Sequence, residues 1–316
     1  MTDVREREDA AMSPEPQRGE SRLADPRLRD LSLHDWREIF VRAVKRLLAD
    51  HGTMLASALS YSTFFAIPAV LLVVVGTFTL VVGPETISSL MQHFSRVIPA
   101  EATTLLGQSL RRLDRNPSES VLVTIVGAVL ALWAMTSAMT TYMTALDLAY
   151  ERKDNRSFVR RRLVALALVT LIGLVFLLVA VLLMFGPPLE QLVASHAGGA
   201  SGAVSWIWWI AQWPILIGGL LIAFSILLDA GPDVTRPRRR LLTPGSVLAT
   251  FVWLAASGGF AYFTSNFGSY TKTWGSLAAV IIMLTWLWLA ALALLLGAEL
   301  NAETERSLEQ RAKAAA

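Results

Sequence analysis

Six apolar runs, none holding an Asp, Glu, Lys, Arg or His, set the pattern of this chain: residues 54–82, 121–146, 163–185, 203–228, 241–263 and 274–298. At about 1.5 Å rise per residue each is long enough to cross a hydrocarbon core of about 30 Å. Backbone N–H and C=O groups in lipid must find partners within their own segment or in a closed barrel. A barrel would show ten-residue alternation, which is absent, so the pattern predicts six transmembrane helices and an all-α integral membrane protein.

Between these runs the pattern changes character. SLHDWREIFVRAVKRLLAD, just before the first run, sets Trp36, Phe40, Val44, Leu47 and Leu48 on one helical face, with Arg37, Arg42, Lys45 and Arg46 largely off it. Residues 35–53 are therefore predicted as a basic amphipathic helix, either lying on an anionic leaflet or packed under the bundle. Ser32 and Asp35 form a plausible capping pair at its start. In the loop after the first run, Ile87, Leu90, Met91, Phe94 and Ile98 fall at helical spacing. Pro99 interrupts them, and Leu105, Leu106, Leu110 and Leu113 resume, so two more amphipathic helices are expected there. Residues 1–34, with prolines and mixed charges, read as a disordered tail without a cleaved signal peptide, and 301–316 as a second tail. The membrane domain spans 54–300.

Composition and charge sharpen this reading. Only 17% of the 316 residues are charged and 54% are apolar, against about 25% charged in soluble domains. Lys and Arg alternate from one side to the other: 17 lie in the two terminal flanks and the even-numbered loops, 5 in the odd-numbered ones. The positive-inside bias puts both termini in the cytoplasm and reads the runs at 160–162 and 236–240 as topology anchors rather than nucleic-acid contacts. With no cysteine, thiolate chemistry and cysteine metal sites are excluded. His34 and His51 fall on one side of the membrane, His93 and His196 on the other, and no zinc-protease, Walker or nucleophile-elbow motif is present. Neither cofactor nor metal is predicted, an enzyme is judged against, and membrane lipids are the expected partners. Nothing in the sequence sets an oligomeric state.

Candidate function lies in the neutral polar groups and in the charges at the ends of the runs. Thr136, Thr140 and Thr144 recur every four residues and make one stripe. With Tyr61, Pro68 and Gln212 they line a candidate pathway for a neutral or amphiphilic substrate. The plainer reading makes the stripe helix–helix glue, together with the small-residue pairs Ala255/Gly259 and Gly275/Ala279. Asp147, Asp229 and Glu299 end the second, fourth and sixth runs at one level, unfavourably for the helix dipole. The arginines opening the next helices, Arg160, Arg161, Arg162 and Arg238, Arg239, Arg240, are the expected partners in a belt of cross-loop ion pairs. Alternatively these groups, with Asn301, form a cytoplasmic gate or a headgroup site. Pro68 and Pro214 sit too differently in their runs to mark an inverted repeat.

Five segments in order resemble the YihY/BrkB family of bacterial inner-membrane proteins, whose older label is ribonuclease BN. They are ALSYSTFFAIPAVLLV, TALDLAYERKDNRSFVRRRL, TPGSVLA, NFGSYTKTWGSLAAVI and GAELNAE, together covering about residues 45 to 305. The resemblance implies six membrane helices, no settled biochemical activity, and a lean toward transport of lipid-like molecules. Asp147 stands where such proteins often have Asn, and Trp274 where Tyr is common. The expected function is that of a transporter or export factor for an amphiphile in the bacterial inner membrane, with a membrane-bound ribonuclease or an assembly protein as alternatives. Asn266, Gly268, Ser269, Tyr270, Gly275 and Ser276, in the connection before the last helix, are candidate pathway residues. This connection is either a re-entrant or tightly packed external loop or a simple exposed turn.

Overall fold

A computed structural model of the protein describes residues 31–82, 117–196, 201–233, 242–266 and 276–315. The expected helices of residues 83–116 and the disordered tail up to residue 30 lie outside the described residues. Among those described there are seven helices and no strand: α1 (Leu33–Ala49), α2 (Gly52–Val82), α3 (Pro117–Ala149), α4 (Phe158–His196), α5 (Ser201–Ala230), α6 (Pro244–Asn266) and α7 (Ser276–Ala315). The six from α2 to α7 are long and apolar enough to cross a membrane. Pro68 and Pro214 lie inside α2 and α5 without ending them. Helix ends follow local chemistry. Ser32 and Asp35 make a reciprocal capping box at α1, and Thr243 and Ser246 exchange side-chain bonds to each other's backbone N–H, both 3.1 Å, where α6 opens at Pro244.

The helices stand in chain order around a closed ring, each beside the next, with α7 returning against α2. α7 also reaches across to α3 and α5. That crossing forms the main core, where Leu146 and Ala149 of α3 meet Leu227 and Leu228 of α5 and Leu294 and Ala298 of α7. A second cluster joins Ala56 and Leu59 of α2 to Ala145, Ala291 and Leu295. Both clusters sit at the end of the ring that carries the basic loops. Large apolar side chains such as Val129, Trp133, Leu178, Phe251 and Tyr262 face outward, as a lipid solvent allows.

Two features depart from the expected boundaries. The segment expected as a tail from residue 301 continues α7 to Ala315, because its Ala-, Glu- and Arg-rich sequence favours helix and its face is buried. That face, with Leu300 and Leu308, packs Ile39 and Ala43 of α1. Thus α1 runs over Leu33–Ala49 rather than 35–53 and lies against the extension of α7. Of its predicted apolar face Trp36 and Leu47 pack inward, whereas Phe40 and Leu48 are exposed. The corner into α2 is tight: His51 has a φ of 53°, and a Cβ on Gly52 would meet the Leu47 carbonyl oxygen at 2.6 Å.

Candidate functional site

The polar groups at the basic end fall into three connected arrangements. In the first, the loop between α3 and α4 is latched onto the end of α5. Arg156, whose side chain is only 10% exposed, donates to the carbonyls of Gly231 (3.0 Å) and Pro232 (2.9 Å) and pairs with Asp233 at 3.3 Å. Asp233 in turn accepts the backbone N–H of Asn155 at 3.0 Å, and its own N–H is accepted by buried Asp147 at 2.7 Å. This explains a carboxylate at a helix C-terminus: the Asp233 N–H offsets the dipole's repulsion.

The second arrangement ties α1 to α7. Glu303, 5% exposed, receives Arg42 at 3.1 Å, Arg46 at 2.8 Å and Arg306 at 2.6 Å. Glu151, in the α3–α4 loop, pairs with Arg46 and with Arg306, the latter at 3.4 Å. At the other end of α1, Arg311 meets Asp35 at 2.5 Å. Hydrogen bonds from the Ser32 side chain and backbone, with help from Arg311, hold the Asp35 carboxyl down at about 2. Beside this network α6 crosses α7 at two glycines. A Cβ on Gly245 would lie 2.0 Å from the Gly297 carbonyl oxygen, and buried Asn301 accepts the Gly245 N–H at 2.7 Å and donates to Thr243 at 3.0 Å. Burial pushes the hydroxyl of neighbouring Tyr150 up in pKa, with a hydrogen bond to Asn301 acting the other way.

The third arrangement places the second and third arginines of the 160–162 run on the threonine stripe of α3. Arg161 pairs with Asp154 at 3.1 Å and donates to the Thr140 carbonyl at 3.2 Å and to the Thr144 hydroxyl. Arg162 donates through Nη1 to Thr136 Oγ1 (3.1 Å) and Ser137 Oγ (3.0 Å), and its guanidinium lies over the Trp133 ring, 4.2 Å from the centroid. Phe158 approaches it at 5.7 Å. Trp133 and Phe158 are 57% and 68% exposed, so this seam opens on the outer surface of the ring. Thr136 and Ser137 lie well inside the apolar stretch of α3, Gly127–Ala149. The guanidinium at the start of α4 thus reaches a depth that the sequence assigns to neutral groups alone.

The remaining predicted residues are dispersed. Tyr61 is exposed and packs its ring on Phe65, and Gln212 is half-buried on α5; among the described residues no hydrogen bond joins either to Thr140. Glu299 is buried within Coulombic reach of Asp50, Arg306, Arg46 and Glu303, and its Oε2 has no hydrogen-bond partner among the described residues. Asp229 is half-buried near Tyr150, and Arg160 is exposed. Among the described residues, ion pairs at this end run through Glu151, Asp154, Asp233 and Glu303. Gly259, expected as helix glue, has nothing within 4 Å of where a Cβ would stand; the close pair is Gly245 and Gly297. Arg238, Arg239, Arg240, Gly268, Ser269, Tyr270, Gly275 and the side chains of Asn266 and Ser276 lie outside the described residues. Among the described residues no group of three or more His, Asp or Glu side chains could hold a metal ion.

Comparison with known proteins adds relatives. The sequence model of the family described as "Virulence factor BrkB" matches residues 43–316. A ribonuclease-like protein of Bacillus subtilis, YfkH, is 32% identical over 221 residues, 69% of this chain and 78% of that protein. UPF0761 membrane proteins of Chromohalobacter salexigens and Azotobacter vinelandii are 28% and 26% identical over 84% and 85% of this chain. The match spans 64% and 62% of their own lengths. No solved structure matches.

Proposed function

The chain belongs to the virulence factor BrkB family as a multi-pass inner-membrane protein, and from that premise we propose that it moves an amphiphilic molecule between the leaflet at its basic end and the bilayer interior. The observation that supports this reading is the seam of Arg161 and Arg162 on the hydroxyls of α3. An arginine at the centre of a membrane helix costs about 2.5–3.5 kcal/mol on insertion scales, and Arg162, the fifth residue of α4, incurs part of that cost by turning its charge onto the hydroxyls of α3. Here it makes a polar track on the lipid-facing surface, bounded by the ring of Trp133, along which a headgroup travels while its tails stay in lipid. The hydroxyls at Thr136, Ser137, Thr140 and Thr144 extend that track by neutral groups that offer bonds without a charge's desolvation cost.

The ribonuclease-like description belongs to the Bacillus relative. For this chain a metal-dependent nuclease draws no support from the described carboxylates: Asp147 is committed to the Asp233 loop, and Glu299 sits within reach of a different network. The test is a vesicle assay with purified protein and a fluorescent-tailed amphiphile, reading the fraction that a membrane-impermeant quencher reaches over time. The parent protein is expected to accelerate exchange over empty vesicles, and a Thr136→Val/Thr140→Val pair to slow it at least fivefold. Parent and empty vesicles exchanging at one rate would remove the proposal.

A further inference from the structure

We infer that the Arg162 seam is a binding site for a phosphate oxyanion, the headgroup phosphate of a lipid in the leaflet at the basic end. This names the headgroup chemistry of the same site, and rests on the transport reading only for what happens to the bound molecule afterwards.

The inference follows from which donors are used and which are left. Arg162 spends Nη1 on two hydroxyls, Thr136 at 3.1 Å and Ser137 at 3.0 Å, and its plane is fixed over Trp133 at 4.2 Å. Its other edge, Nε with Nη2, has no acceptor among the described residues, and no carboxylate there pairs with it. That edge is the parallel fork that matches two oxygens of one anion. Thr136 gives its own proton to the Leu132 carbonyl at 2.8 Å and is exhausted as a donor. The Ser137 hydroxyl accepts from Arg162 Nη1 at 3.0 Å, so it steadies the guanidinium from the side opposite that fork. The phosphodiester of a lipid headgroup presents two such non-bridging oxygens.

Charge and access agree. Arg161 is partly offset by Asp154 at 3.1 Å, whereas Arg160 and Arg162 have no acidic partner among the described residues, so the start of α4 keeps a net positive charge. The approach runs past Trp133, Phe158, Val159 and Leu163, all more than half exposed. A ligand arriving over such an apolar surface carries its anion on acyl tails. Basic pockets between membrane helices take anionic headgroups in this way.

The test is native mass spectrometry on the full chain, purified in detergent, with phosphatidylglycerol offered against diacylglycerol, which has similar tails and no phosphate. Retention of phosphatidylglycerol at least fivefold above diacylglycerol is expected, falling at least fivefold in Arg162→Gln, in part in Arg162→Lys, and unchanged in Arg37→Gln, an exposed arginine of α1. Millimolar inorganic phosphate is the second arm. If it protects the parent but not Arg162→Gln against thermal unfolding while no lipid is retained, the oxyanion site stands and its source is free phosphate. Should Arg162→Gln not fold, Ser137→Ala, which removes one of the two hydroxyls that hold the guanidinium in place, must still weaken retention about twofold. Equal retention of the two lipids with no phosphate effect, or a folded Arg162→Gln that binds as the parent does, overturns the site. Because binding is read without vesicles, a protein that binds but does not exchange lipid counts against transport alone.

Discussion

Replacing Gly245 with alanine sets a methyl group where α6 and α7 leave no room. The new Cβ would stand 2.0 Å from the Gly297 carbonyl oxygen and 2.6 Å from Asn301 Cγ, whereas carbon contacts settle at about 3.5–4.0 Å. Neither neighbour is the free end of a flexible chain. The carbonyl belongs to the α7 backbone, and Asn301 is held by its bonds to Gly245 N–H (2.7 Å) and Thr243 (3.0 Å). The helices must therefore part by more than an ångström, which breaks the buried Gly245–Asn301 bond. Overpacking costs about 1–3 kcal/mol and an orphaned buried N–H a further 1–3 or so, giving roughly 2–6 kcal/mol in all. By the scale of soluble domains, about 2–4 °C per kcal/mol, that is a fall in melting temperature of at least roughly 4 °C. The assay is thermal unfolding in detergent followed by tryptophan fluorescence, since Trp253 and Trp286 meet edge-to-face at 5.9 Å across α6 and α7 and report their separation. Gly259→Ala is the matched control: no atom stands within 4 Å of its Cβ, and alanine favours the helix by up to about 1 kcal/mol. A Gly245→Ala protein melting within about two degrees of the parent, a change worth under ~1 kcal/mol, would refute the close-crossing argument.

Arg156→Ala removes two carbonyl bonds and an ion pair from a side chain that is 10% exposed, and leaves Asp233 without its cation. A loss of about 3 kcal/mol is expected, with faster hydrogen exchange confined to the α3–α4 loop and the end of α5. Asp147→Asn keeps an acceptor for the Asp233 N–H and removes a buried charge, so its melting temperature should match or exceed the parent's, while Asp147→Ala should lose about 1–3 kcal/mol. Asp35 is held at about 2 against an ordinary 3.8. A depressed carboxyl contributes stability that is complete above its unfolded value and is lost as pH falls through the folded one. The protection of the α1 amides relative to the unfolded chain at the same pH should therefore fall from about pH 4 down to 2, and Asp35→Asn should lessen that fall.

The six crossings were legible because a run of twenty or more residues without a charge has few other uses, and the sequence says so without help from packing. The extension of α7 was not, because the charges after Ala298 end the hydropathy signal although Leu300, Ala302 and Leu308 keep a buried helical face. The arginine seam was hidden for a different reason. The threonine stripe and the run at 160–162 are each visible in the sequence, but 26 residues separate Thr136 from Arg162 and only the pairing of α3 with α4 brings them together. A side chain as long as arginine's also escapes any rule that assigns depth by the position of its Cα. Small residues four apart on one helix, Ala255/Gly259 and Gly275/Ala279, are the pattern expected of helix glue. The close approach uses one glycine from each of two helices, and the signal was in the TPGSVLA and GAELNAE segments, each of which contains one.

The arginine seam opens on the inner leaflet only if the latched, basic end of the ring faces the cytoplasm. Because the native chain has no cysteine, a single Lys153→Cys substitution in the exposed α3–α4 loop can be labelled without background. A membrane-impermeant maleimide applied to intact spheroplasts should leave it unmodified and should label it fully once the membrane is opened. Full labelling in intact spheroplasts would turn the bundle over and take the seam out of the leaflet assigned to it.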